Sequence, residues 1–114
     1  MKQLIAFAFL SLTATSALAG QTIFSPDDGV LCDKKAGFCA DKDGIAVGHT
    51  EVYLGKKAAK KLQDMISSVG VDSFDATSFT MSNGMHCETR EKNCTTSKFN
   101  DKPDRVGNTT LFGK

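Results

Sequence analysis

The sequence predicts an α+β fold: a small antiparallel sheet, made of two disulfide-stapled β-hairpin or meander units, with one amphipathic helix packed on one face. Three observations predict it. The stretch Cys32-Asp-Lys-Lys-Ala-Gly-Phe-Cys39 returns in spacing as Cys87-Glu-Thr-Arg-Glu-Lys-Asn-Cys94. Between them lies one segment whose apolar residues recur at helical spacing. After it, Asn83-Gly84 separates two extended runs, a strong short-range hairpin pattern.

The chain opens with Lys2, an apolar run from Leu4 to Leu12, and Ala17-Leu18-Ala19. Together these read as a secretory signal peptide over residues 1–19, too short for a bilayer-spanning helix. Cleavage after Ala19 leaves residues 20–114 as a single disulfide-stapled domain, with no cysteine at the cut to carry a lipid anchor. Export places the protein in the periplasm or outside the cell, where disulfides are favoured over free thiols. The sequence holds fourteen basic and thirteen acidic residues, and Lys2 leaves with the leader. That balance gives no global field for nucleic acid or an anionic membrane, and no second long apolar segment implies stable membrane insertion after cleavage. With no tryptophan, one tyrosine and eight phenylalanines, the apolar core is modest, and staples would brace it.

Gln21 to Phe24 is short and extended, and Ser25-Pro-Asp-Asp-Gly29 is turn chemistry. Six residues between Cys32 and Cys39 suit a hairpin in which Asp33 pairs with Phe38, Lys34 to Gly37 form the turn, and the cysteines face each other. Gly37 supplies the positive φ that such a loop needs at its end. The same count pairs Glu88 with Asn93, makes Thr89 to Lys92 the turn and opposes Cys87 to Cys94. This favours Cys32–Cys39 and Cys87–Cys94 bridges, each contributing about 2.5 kcal/mol in the chain-entropy model. Four cysteines allow three connectivities, and spacing leaves a crossed pairing open.

Asp41-Lys-Asp-Gly44 reverses the chain into Ile45-Ala-Val47; as a calcium loop it fails at both ends, with Cys39 in the first ligand position and Thr50 in the last. Thr50 is placed as a helix N-cap with Glu51 in the first turn. Leu54, Ala58, Ala59, Leu62, Met65, Ile66 and Val69 then share an arc of about 140°. Gly55 inside that arc costs about 1 kcal/mol of helix propensity; alternatively Glu51 to Leu54 are extended and the helix starts at Lys56. Gly70 ends it. Lys56, Lys57, Lys60 and Lys61 hold the opposite arc, read as a solvated face in preference to a stripe for an anionic partner. Extended runs are expected at 78–82, 85–88 and 94–98, with a type I′ turn at Asn83-Gly84. Val106 to Phe112 is expected to add one edge strand, and Asn108-Thr-Thr is a glycosylation sequon only in a glycosylating host.

The chemistry is sparse. His86 beside Cys87 could form zinc ligands with Cys94 only if the thiols were reduced, and the spacing matches no finger or ribbon. There is no Cys-x-x-Cys for redox catalysis and no Gly-x-Ser-x-Gly nucleophile elbow. No catalytic residue, metal ligand or cofactor is therefore assigned, and a non-enzymatic role is expected. The residues placed to meet a partner are Lys34, Lys35, Arg90 and Lys92, on the two stapled turns. The preferred reading is a binding module for a protein or envelope component; the alternative is an inhibitor of a secreted hydrolase, lysozyme or protease, with a braced turn in its cleft.

Leu31-Cys-Asp-Lys-Lys-Ala-Gly-Phe-Cys-Ala-Asp41, Tyr53-Leu-Gly55, Phe79-Thr-Met-Ser-Asn-Gly84 with Cys87 and Cys94, and Leu111-Phe-Gly113 resemble the Fels-1 prophage protein-like family, which includes YcgJ-type proteins. The resemblance covers most of the chain after the leader. It implies a small exported bacterial protein and brings no catalytic residues to carry over.

Overall fold

A computed structural model describes residues 21–114; the signal-peptide expectation over residues 1–19 lies outside the described residues. The fold is α+β, as expected, but its strands form two sheets rather than one. The first sheet runs in chain order: β1 (Ile23–Phe24), β2 (Leu31–Asp33), β3 (Phe38–Asp41) and β4 (Gly44–Ala46), all antiparallel. Two helices follow, α1 (Val47–Leu54) and α2 (Lys56–Val69). The second sheet is a three-stranded meander of β5 (Ser78–Thr80), β6 (His86–Glu88) and β7 (Asn93–Thr95), with a single 3₁₀ turn, Thr89–Glu91, between β6 and β7. α3 (Arg105–Phe112) closes the chain. No helix among the described residues is long and apolar enough to cross a membrane.

Both stapled hairpins have the same register. Asp33 pairs with Phe38 and Cys32 with Cys39; Glu88 pairs with Asn93 and Cys87 with Cys94. Each opposed cysteine pair is disulfide-bonded, so no thiol is free.

Four local expectations are corrected. Thr50 is not an N-cap: it lies inside α1, fully buried, and its hydroxyl donates to the Ala46 carbonyl at 2.8 Å. Gly55 is not inside a helix, because its φ of 101° ends α1 and starts α2; the alternative start at Lys56 holds, but Glu51 to Leu54 are helical rather than extended. The Asn83-Gly84 turn is not type I′. Ser82 and Asn83 keep negative φ, Gly84 donates to the Met81 carbonyl at 2.9 Å, and only Gly84 goes positive, at 97°. Met81 and Met85 thus flank a three-residue loop, a type I turn followed by a positive-φ glycine. Finally, Val106 to Phe112 is helical, not an edge strand. Asp104 caps that helix by accepting the Gly107 N–H at 2.9 Å, and docking against Cys94 outweighs the strand preference of Thr109 and Thr110.

The main core spans both sheets. Leu31, Phe38 and Ala40 meet Phe79, Met81, Met85 and the Cys87–Cys94 bridge, with Leu62 and Leu111 closing the sides. Phe38 and Phe79 pack edge to face, with ring centroids 5.7 Å apart. A smaller cluster holds Val30 and the Cys32–Cys39 bridge under Phe24, Tyr53 and Leu54. One buried carboxylate ties the halves together: Asp33 Oδ2 accepts the Ser82 N–H at 2.6 Å, and Oδ1 accepts the Ser82 hydroxyl at 2.9 Å.

Candidate functional site

The helix stripe is wider than the core it meets. Ala59 and Leu62 are buried, yet Met65 and Val69 remain 41% and 51% exposed. The uncovered part of the stripe does not face open water on all sides. Leu54, Ala58, Leu62 and Met65 form the floor of a groove of about 570 Å³, with Phe38 from β3 at its end.

The rim is made of lysines from two places. Lys34 and Lys35 come from the first stapled turn, and Lys57 and Lys61 from successive turns of α2. The i, i+4 spacing puts Lys57 and Lys61 on one face of α2. The turn is rigid for a local reason. Asp33 Oδ1 accepts the N–H groups of Lys35 at 3.1 Å and Ala36 at 3.0 Å, and its carbonyl accepts the Gly37 N–H at 2.8 Å. Gly37, at φ 85°, completes the loop without the steric penalty a Cβ would bring. Lys34 also reaches back over the Phe24 ring, 5.3 Å from its centroid. No aspartate or glutamate lines the groove. Four cations thus stand beside an apolar floor, with no acid among the lining residues.

The four turn residues singled out from the sequence do not form one surface. Lys34 and Lys35 join Lys57 and Lys61, whereas Arg90 and Lys92 lie elsewhere. Arg90 approaches Asp75 at 3.8 Å. Lys92 lines a separate hollow beside Thr89, Leu111 and Phe112. Lys56 and Lys60 are not part of the groove wall; Lys60 pairs with Asp64 at 3.5 Å on the exposed side of α2. The sequence presented the turn lysines and the helix lysines as separate features. Lys57 and Lys61 lie on the helix that begins after the break at Gly55, whose positive φ no helical repeat announces.

A second polar feature crosses the outer face of the second sheet. Thr80 Oγ1 meets His86 Nδ1 at 2.8 Å, His86 Nε2 meets Glu88 Oε2 at 2.6 Å, and the Ser78 hydroxyl donates to that same oxygen at 2.7 Å. The Ser78 hydrogen bond, and then that from His86, hold the Glu88 carboxyl below the ordinary glutamate range. These residues are linked because they alternate with the buried Phe79 and Cys87 along β5 and β6. Both nitrogens of His86 are engaged within the row. Cys87 and Cys94, bonded to each other on the opposite face, offer no thiolate to a metal beside His86. Among the described residues, no three histidine, cysteine, aspartate or glutamate side chains converge to hold a metal ion.

Residues 23–112 match the family described as YcgJ protein. Over 75 residues, 66% of this chain, the sequence is 37% identical to the uncharacterized protein YcgJ of Escherichia coli (strain K12). The match covers 55% of that protein, so the chain spans about half the length of the curated relative. No solved structure matches the chain.

Proposed function

The chain belongs to the YcgJ protein family, and from that premise we propose that it is an exported, non-catalytic binding module that holds an anionic protein or envelope component in the lysine-rimmed groove. The single observation that carries this reading is the convergence of Lys34, Lys35, Lys57 and Lys61 around an apolar floor. A chain whose charges are balanced overall concentrates one sign at one concavity, which is how a local site attracts an ion without general stickiness. Export is supported by the leader-like residues 1–19 and by the engagement of every cysteine in a disulfide. A binding role rather than catalysis is supported by the sequence, which carries neither a Cys-x-x-Cys nor a Gly-x-Ser-x-Gly motif.

The test compares two variants of equal charge. Lys57→Gln with Lys61→Gln neutralises the groove; Lys56→Gln with Lys60→Gln neutralises the outer side of the same helix. Co-sedimentation with bacterial envelope fragments, and retention of soluble envelope proteins, should fall for the first pair and persist for the second. Equal loss in both, or no loss in either, contradicts the reading.

A further inference from the structure

Resting on the reading of the groove as the binding site, we infer that its ligand is a single-chain amphiphile with an anionic head of the phosphate kind: the tail lies along the floor and the head sits among the lysines. The first support is what the turn can no longer donate. Lys34 N–H is bonded to the Thr22 carbonyl at 2.9 Å, Lys35 and Ala36 N–H groups to Asp33 Oδ1 at 3.1 and 3.0 Å, and Gly37 N–H to the Asp33 carbonyl at 2.8 Å. Every N–H from 34 to 37 is used inside the protein. The turn therefore offers neither a strand edge for an extended peptide nor a backbone nest for a bare anion.

The second support is the side-chain inventory of the wall. Apart from its four lysines, the lining side chains are glycine, alanine, leucine, methionine and phenylalanine. Lysine is a mobile point charge that meets an anionic head such as phosphate without the planar fork by which arginine binds phosphate or carboxylate bidentately. No side-chain acceptor stronger than the Met65 thioether lines the wall to read a sugar hydroxyl or a peptide N–H. The floor asks for hydrocarbon, and the unbranched Met65 side chain can adapt to the shape of what lies on it. A volume of about 570 Å³ lies in the range of small-molecule sites.

The experiment uses the oxidised protein without its leader and reads methyl NMR shifts at Leu54, Leu62 and Met65 with titration calorimetry alongside. The probes, each below its micelle-forming concentration, are dodecyl phosphate, dodecyltrimethylammonium with the same tail and opposite charge, and inorganic phosphate with no tail. Dodecyl phosphate should bind saturably at one site and shift those methyls; the cationic amphiphile should bind about tenfold more weakly, and phosphate alone should leave Leu62 and Met65 unmoved. Lys57→Gln with Lys61→Gln should weaken dodecyl phosphate about five- to tenfold, as two lost exposed ion pairs would. The Lys56/Lys60 pair should change it by no more than about twofold. Absence of saturable binding, equal affinity for the two amphiphiles, or equal effects of the two variant pairs overturns the inference. If dodecyl phosphate fails while the Lys57/Lys61 pair still governs retention of an acidic protein from the envelope, the ligand class is wrong and the groove reading stands. Failure of both removes both.

Discussion

The two stapled hairpins share a register and a bridge position, yet they present opposite faces to the common core. In the first, the bridge points away from the core toward α1, and Leu31, Phe38 and Ala40 on the other face meet the second sheet. In the second, the bridge itself lies in the core beside Phe79, and the other face, Ser78, Thr80, His86 and Glu88, is the polar outer row. The residues flanking the cysteines explain the difference. Leu31-Cys32-Asp33 and Phe38-Cys39-Ala40 are apolar or buried on both sides of the strand, whereas His86-Cys87-Glu88 and Asn93-Cys94-Thr95 alternate with polar residues. A strand with two apolar faces needs two covers; an alternating one needs one.

Each bridge is also locked by a helix through one buried polar side chain. Thr50 of α1 accepts the Cys39 N–H at 2.9 Å. Asn108 of α3 does more: its Oδ1 accepts the Cys94 N–H at 2.7 Å and its Nδ2 donates to the Cys94 carbonyl at 3.0 Å. With both ends of the amide occupied and the residue buried, the Asn108 sequon is not available as a surface acceptor. Beside it, a Cβ on Gly107 would come within 2.8 Å of Cys94 Sγ and Met85 Sδ. Both bridges are fully buried, but the second lies in the main core and the first in the smaller cluster.

The largest expected effect separates the two bridges. In the chain-entropy model the loops are equal, at about 2.5 kcal/mol each. Replacing Cys87 and Cys94 by alanine also opens the main core, so it should cost about 4–5 kcal/mol against about 2.5–3.5 for Cys32 and Cys39. Urea midpoints of the two double variants measure this, and equal losses would break the proposed difference in packing.

Next comes the pair of carboxylates that follow the first cysteine of each hairpin. Asp33 is fully buried and accepts only from donors, so Asp33→Asn puts an amide NH₂ against one of them and should cost about 2–3 kcal/mol. Glu88 faces solvent and should cost much less. Its effect shows in pH instead. Because the folded carboxyl ionises below the unfolded value of about 4.3, its stabilisation is present above that pH and is lost as pH falls through the folded value. The stability gap between the wild type and Glu88→Gln should therefore shrink from pH 5 to pH 3. A gap that widens on acidification would contradict the assignment.

The smallest effect contrasts the last residue of each turn. Gly37 and Lys92 occupy matching positions with φ of 85° and 51°. A non-glycine residue there carries a steric cost of about 1 kcal/mol. Lys92→Gly should gain up to about 1 kcal/mol, and Gly37→Ala should lose about that much or more, read as opposite shifts in thermal midpoint.

Much of this architecture was legible in the chain. Cysteine spacing, the turn at Lys34 to Gly37 and the Asp41-Lys-Asp-Gly44 reversal carried the strand register, because register in short hairpins is set by loop length. The division into two sheets was not: the polar residues flanking Cys87 and Cys94 mark a solvent-facing side, but nothing local says that the two hairpins belong to different sheets. The terminal helix was missed because Thr109 and Thr110 favour strands locally and only the dock of Gly107 and Asn108 onto Cys94 reverses that preference. Half of the candidate site, Lys34 and Lys35, stood out as turn lysines. The other half, Lys57 and Lys61, looked like solvated charge, because nothing local places that helix beside the first stapled turn.

Disulfide mapping tests the clipped-hairpin account most directly. Trypsin cuts after Lys34 and Lys35 between the first two cysteines, and after Arg90 and Lys92 between the second two, so each cysteine falls in its own peptide. Non-reducing mass analysis of protein recovered from its natural compartment should link the Cys32 peptide to the Cys39 peptide and the Cys87 peptide to the Cys94 peptide. A bridge joining either of the first two cysteines to either of the last two, or thiols left free, would contradict it.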